Sequence, residues 1–321
     1  MDSTAFRAAL AAGEVIVLDG GFATQLEAQG ADLSDALWSA RLLADAPDEI
    51  VAAHVAYFRA GARVATTASY QATFEGFARR GIGHDQSIAL MQRSVELASA
   101  ARAIVLAEQT PASAGPATRL FVAASIGPYG AMLADGSEYR GRYGRSVAQL
   151  RDHHRERLAV LASTPADVLA IETIPELEEA VAVAGLLEET DGASAWISFT
   201  CADGARLRSG VPIEEAVEAV DGTRGLLAVG VNCTAPEHID ELLGRIAAAT
   251  TLPVVVYPNS GEGWDATRRT WMGATAGRVD AAAGNRWLAA GARLIGGCCR
   301  VTPDQVRGLA DGLPARTDAA R

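Results

Sequence analysis

Lysine is absent from the sequence: all 28 basic residues among the 321 are arginine. A Schiff-base aldolase, a pyridoxal phosphate enzyme and a Walker-A nucleotide binder each need a lysine amine, so all three are excluded. Positive charge is also outnumbered, since 39 acidic residues leave a net charge of −11. No basic stretch is dense enough to track a phosphate backbone, and nucleic acid is not expected as a partner. No apolar run approaches the ~18 residues of a membrane span. Met1, Asp2 and Ser3 lack the basic start of a signal peptide. A cytoplasmic protein without a membrane partner is expected. His-Glu-x-x-His, Gly-x-Ser-x-Gly and Gly-x-Gly-x-x-Gly are missing, and with them the common protease, esterase and dinucleotide signatures. Cysteine is scarce too, with only Cys201, Cys233, Cys298 and Cys299. In a long chain of a reducing compartment, metal binding or catalysis is a commoner use for thiols than disulfides.

What is present is a regular alternation. Short apolar runs at Val15–Gly20, Arg63–Ser69, Leu120–Ile126, Val168–Glu172, Ala195–Thr200, Leu227–Asn232, Val254–Tyr257 and Arg293–Gly297 read as parallel strands buried on both faces. Helical patterns lie between them, as at Gln86–Glu108, Ser146–Leu161, Glu176–Glu189, Glu237–Ala249 and Ala281–Ala290. Eight strands with helical intervals predict a (β/α)8 TIM barrel. No linker or second hydrophobic unit interrupts the pattern, so residues 1–321 read as one domain.

Barrel active sites form at the C-terminal ends of the strands. Apparent capping boxes place those ends: Thr173 with Glu176, Thr234 with Glu237, and Thr302 with Gln305. The residues there are Asp19, Thr67–Tyr70, Glu172, Cys201, Cys233, and Cys298–Cys299. Cys233 and the Cys298–Cys299 pair are one strand apart at one mouth, and Gly296-Gly297 permits a turn that brings both adjacent sulfurs to one centre. Three thiolates and an open position form a catalytic zinc pattern. Buried apolar cysteines and a vicinal Cys298–Cys299 disulfide are the alternatives. Cys201 could close the site as a fourth ligand, but strand five lies farther from strand eight, and a rim or core thiol outside the metal is the favoured reading. Asp19, followed by Gly20-Gly21 and a helix start, and Glu172, a carboxylate ending an apolar strand, together make a site for a substrate ammonium. A substrate carboxylate could rest on the glycine N–H groups. His153 and His154, among Arg151, Asp152, Arg155 and Glu156, read as a solvated helix face.

These segments resemble the zinc-dependent homocysteine S-methyltransferases over almost the whole chain. The resemblance is carried by Leu18–Gly21, Thr66–Thr73, Ser125–Gly130, Ala134–Tyr139, Glu172–Pro175, Gly230–Cys233, Tyr257–Glu262 and Gly296–Arg300, in the family's order. It implies a (β/α)8 barrel that methylates homocysteine to methionine. It further implies Zn2+ held by Cys233, Cys298 and Cys299, and a homocysteine amino group held by Asp19 and Glu172. Tyr70 matches a tyrosine able to approach the metal before substrate arrives. Ser69, Tyr70, Gly20, Gly21 and Asn232 fall in the substrate-binding motifs. The wording around Ser69–Gln71 and Tyr257–Ser260 is most similar to the branch using S-methylmethionine, with S-adenosylmethionine as a second donor. Tyr129, Tyr257 and Trp264 are aromatic candidates for holding a sulfonium. Related enzymes acting on selenocysteine or using betaine, and a non-catalytic zinc or redox protein, share parts of the pattern. Oligomeric state is not legible.

Overall fold

The computed structural model describes residues 1–33, 38–108, 119–265, 270–272 and 278–315. Its strands are β1 (Ile16–Val17), β2 (Val64–Thr66), β3 (Phe121–Ile126), β4 (Val168–Ile174), β5 (Ala195–Phe199), β6 (Leu226–Asn232), β7 (Val254–Tyr257), β8 (Gly263–Asp265), β9 (Thr270–Met272) and β10 (Ala292–Ile295). Eight of them form one sheet in the order β1-β10-β7-β6-β5-β4-β3-β2, and β8 pairs with β9 in a separate antiparallel hairpin. Every neighbouring pair in the large sheet is parallel. The ring is drawn together where Arg63 N, just ahead of β2, donates to Val17 O of β1 at 2.7 Å. This is the (β/α)8 barrel expected from the alternation. The hairpin inserted after β7 was not foreseen, because its short polar-flanked runs carry no barrel-strand signal.

Strand alternation sorts the side chains into two cores. Leu169 and Ile171 of β4 face the helices, whereas Val168 and Ala170 face the barrel axis. The same period sends Trp196 of β5, Ala228 of β6, Val255 of β7 and Leu294 of β10 inward. The N-terminal helix Thr4–Ala11 plugs the far end: Phe6 packs edge-on to Phe121 with ring centroids 5.1 Å apart, and lies 6.3 Å from Trp196. Continuing the inward register one step towards the strand C-termini changes its chemistry. Thr66, Ser125, Glu172, Ser198, Asn232 and Tyr257 occupy that layer, so a dry apolar stack ends in a polar floor beneath the mouth.

Gly230 sits on the inward register of β6, and a Cβ there would overlap the Val255 backbone of β7. A backbone obstacle cannot rotate away, so overpacking costs at least the usual ~1–3 kcal/mol. Gly230→Ala should therefore lower the thermal unfolding midpoint by several degrees, as read by calorimetry. An unchanged midpoint would show that β6 and β7 are not packed this closely.

Two local expectations are corrected. His153 and His154 are not solvated but buried: with Leu150, Arg157, Leu158 and Leu161 they form the inner stripe of helix Val147–Ala162. The charged neighbours Asp152, Arg155 and Glu156 occupy the outer face, so the local sequence looks polar while alternate turns point inward. Thr173 and Thr234 are not helix caps either. β4 runs on through Thr173 to Ile174, and the helix after it begins at Leu177 with Glu176 at the cap. Thr234 Oγ1 instead accepts from Cys201 N at 2.9 Å and donates to Asn232 O at 3.0 Å. The third junction does hold, with Thr302 N donating to Gln305 Oε1 at 2.9 Å.

Candidate metal centre and substrate pocket

The loops leaving β6, β7 and β10 are tied edge to edge. Cys233 N donates to Tyr257 O at 3.2 Å, Cys298 N to Pro258 O at 2.7 Å, and Ser260 N to Cys299 O at 3.2 Å. The β7 exit thus serves as a splint between the two cysteine loops. Cys233 is held at φ 45° and Arg300 at φ 65°, in the left-handed region that non-glycine residues rarely enter. Such strain persists only where surrounding structure fixes it, and it gathers at functional sites. The glycines before the cysteine pair contribute in another way than a turn. A Cβ at Gly296 would collide with Leu18 and Asp19, and one at Gly297 with Val301. They let the loop press against β1.

The result is a cluster in which the sulfurs of Cys233, Cys298 and Cys299 all lie within 4.8 Å of one another. Cys233 and Cys298 are joined as a disulfide. Cys299 Sγ lies 3.9 Å from Cys298 Sγ, so the adjacent pair is not bonded to itself. Three sulfur donors converging on one point fit a single thiophilic ion once that bond is reduced, and zinc takes such a set with one position left open. Cys201 stays outside the cluster: it is buried and burial pushes its thiol up to about 12, as for an inert core cysteine.

At the same mouth lie the two carboxylates singled out from the sequence. Asp19 accepts from Thr66 N at 2.6 Å and Thr66 Oγ1 at 2.9 Å. Glu172 accepts from Ser125 Oγ, and the Tyr257 hydroxyl adds a second hydrogen bond. Burial pushes each carboxyl up to about 7, with the neighbouring negative charge of Glu172 adding to the shift at Asp19. Neither forms an ion pair among the described residues. Two desolvated carboxylates without a cation make a strong site for an ammonium group.

The other expected substrate contacts divide. Gly21 N already donates to Val301 O at 2.8 Å, and Gly20 is packed against Val301 O and Tyr57, so both glycines serve close approach of backbone. Asn232 is spent within the protein: its Oδ1 accepts from Thr173 N and Ser198 Oγ, and its Nδ2 donates to Thr173 Oγ1. Ser69 Oγ donates to Ser125 O at 2.8 Å and is fully buried. These residues hold the polar floor in place. Tyr70 does stand among these groups: its hydroxyl bonds the Thr173 side chain and feels the charges of Glu172 and Cys299.

Of the aromatic candidates, Tyr129 turns away from the sulfurs to Tyr143, His153 and Arg145. Tyr257 lies in the floor, its hydroxyl 2.6 Å from Ser198 Oγ and 3.1 Å from Trp196 Nε1. The Trp264 side chain lies outside the described residues. Two contributors escaped the sequence reading. Tyr139, in the 3-10 turn Ser137–Tyr139 after β3, hydrogen-bonds the Cys299 thiol. Arg157, fully buried on its helix, donates to Tyr70 O at 2.8 Å, Gly127 O at 3.1 Å and Ser69 O at 3.3 Å, clasping the exits of β2 and β3. A polar helix position gives no hint of such reach.

A (β/α)8 barrel whose mouth pairs three clustered cysteine sulfurs with two buried carboxylates defines the class. The homocysteine S-methyltransferase family profile matches residues 16–313, and the chain belongs to that family. It is 47% identical over 306 residues to the Escherichia coli homocysteine S-methyltransferase, covering 94% of this chain and 96% of the relative. It is 45% identical over 296 residues to Bacillus subtilis homocysteine S-methyltransferase YbgG, covering 92% and 93%. The crystal structures of the Escherichia coli homocysteine methyltransferase MmuM in a metallated and in an oxidized form each superpose with a TM-score of 0.85 at 45% identity, covering 96% of this chain and 99% of theirs. Among the described residues, no helix is long and apolar enough to cross a membrane.

Proposed function

We propose that this protein transfers a methyl group from a sulfonium donor, S-methylmethionine or S-adenosylmethionine, to homocysteine, forming methionine. The observation that supports the reading is the convergence of three cysteine sulfurs within 4.8 Å, beside two buried carboxylates that form no ion pair among the described residues. Family membership supports the same assignment. Cys233, Cys298 and Cys299 would hold Zn2+, which when bound keeps the acceptor sulfur a thiolate near neutral pH. Asp19 and Glu172 hold the acceptor's ammonium, and that grip fixes where its sulfur arrives. Thr66, Ser125 and Tyr257 orient the two carboxylates. In the transfer, the acceptor sulfur forms a bond to the methyl carbon while the donor's S–CH3 bond breaks. The electron pair of that bond remains on the donor sulfur, which leaves as a neutral thioether, and the acceptor's thiol proton passes to solvent. Such an in-line displacement draws its acceleration from positioning more than from acid–base help.

Methyl transfer to homocysteine with each donor in turn, under reducing conditions and with metal analysis of the same sample, tests the reading. Methionine should form with at least one sulfonium donor, and dimethylglycine should not appear when betaine is offered instead. Zinc-loaded protein that methylates no thiol from any sulfonium would overturn it.

A further inference from the structure

Beside Tyr139, two half-buried charged side chains each hold one buried polar atom that has no hydrogen-bond partner among the described residues. Glu138 Oε2 accepts no hydrogen bond, and Arg208 Nε donates none. Neither residue forms an ion pair among the described residues. Burying polar atoms without partners costs ~1–3 kcal/mol each, so a ligand is the natural recipient. Both groups border the metal centre through one side chain. Tyr139 bonds the Cys299 thiol, and the Arg208 guanidinium carbon stands 5.7 Å from the centre of its ring. Glu138 immediately precedes Tyr139 on the same 3-10 turn, and its charge is felt by Tyr70, Tyr139 and Cys299.

The two come from different strand exits that are fastened together. Arg208 N donates to Thr200 O at 3.1 Å, and Ser209 O accepts from Arg142 Nε at 2.9 Å. The loops after β3 and β5 thus form one wall, distinct from the Asp19–Glu172 pair already assigned to the acceptor.

We propose that Glu138 and Arg208 are the recognition pair for the methyl donor's amino-acid end, with Glu138 facing its cationic side and Arg208 its carboxylate. This rests on the methyl-transfer reading above and specifies the donor class: a sulfonium that carries an α-amino acid. The charges are complementary in sign. Such a donor brings sulfonium and ammonium positive charges and one carboxylate. Glu138 supplies the anion and Arg208 a planar fork suited to the carboxylate. A sulfonium without a carboxylate has no use for Arg208.

The test is a donor comparison on reduced, zinc-loaded protein. The variants are Glu138→Gln, Arg208→Gln and Arg208→Lys, and the donors are S-methylmethionine and trimethylsulfonium. Calorimetric Kd values for S-methylmethionine accompany the kinetics, and thermal unfolding confirms that each variant folds. Losing one charge-assisted hydrogen bond costs about 1.5–3 kcal/mol, which is roughly ten- to a hundredfold. Arg208→Gln should therefore raise Kd and KM for S-methylmethionine by that factor. It should leave trimethylsulfonium, the homocysteine KM and zinc content unchanged, with Arg208→Lys recovering part of the loss. Glu138→Gln should weaken both donors. If the unmodified protein transfers methyl groups normally but these variants do not alter donor binding, or alter homocysteine binding instead, this inference alone is overturned. If the unmodified protein transfers no methyl group from either sulfonium, it falls together with the function it rests on.

Discussion

Reduced protein carrying Cys298→Ser and Cys299→Ser together should contain no stoichiometric zinc and show no methyl transfer, while the barrel stays folded. The unmodified chain should bind about one zinc, since three sulfurs within 4.8 Å serve one ion and leave one position open. Removing two of the three leaves a single thiol, Cys233, and a single thiolate cannot retain zinc against water. Cluster binding of this kind is worth on the order of 10 kcal/mol, so the loss will read as complete occupancy against none. Stability should change little by comparison. Cys298 and Cys299 lie at the mouth beyond the end of β10, and neither belongs to the buried core that holds strands to helices. Elemental analysis gives the metal, circular dichroism the fold. Stoichiometric zinc surviving in the double variant would move the metal to another site. Metal uptake also requires a reduced cluster, because Cys233 and Cys298 share a bond in this structure and a disulfide sulfur is not a thiolate ligand. Treatment with a thiol reductant should raise zinc uptake.

The parts of this site that could be read from the sequence are those a single strand end announces. Glu172 stands out because it follows the inward series Val168 and Ala170 on β4, where an uncompensated charge needs a reason. Cys233 and the Cys298–Cys299 pair stand out because β6 and β10 both stop just before them, flanking β7. What stayed hidden depends on contacts between distant loops. Glu138 and Arg208 meet around Tyr139 only after the exits of β3 and β5 have folded against each other, and no spacing along the chain encodes that meeting. Asn232 illustrates the converse: a strand-end position invites a substrate role, yet its Oδ1 and one of its two Nδ2 hydrogens are engaged by Thr173 and Ser198. The buried His154–Glu179 contact of 2.8 Å was equally opaque, because the surrounding run of charges describes only the outer face of its helix.

Glu172→Gln should weaken the binding of any α-amino acid at the acceptor site by about ten- to a hundredfold, with zinc content unchanged. One charge-assisted hydrogen bond to the ammonium is lost, about 1.5–3 kcal/mol. The same assignment fixes a pH dependence. Without a cation, burial holds Asp19 and Glu172 up at about 7, well above an exposed carboxylate. A carboxyl raised on folding favours the folded state most when protonated, so this contribution is full below the unfolded value near 4 and is lost as pH rises through about 7. An ammonium reverses the balance, because it binds the ionised pair and restores what ionisation cost. Its affinity must therefore increase through the same interval and level off once both carboxyls are ionised. Homocysteine itself confounds the measurement, since its thiol carries a titrating proton of its own. Methionine carries the same ammonium without a thiol and isolates the carboxylates. Its inhibition constant, measured from pH 5.5 to 8.5, should tighten through about 7 in the unmodified protein. In Glu172→Gln the profile should be weaker throughout, with one titrating group, Asp19, in place of two. A constant independent of pH in the unmodified protein would mean that the carboxylates do not hold the ammonium, whatever the metal does.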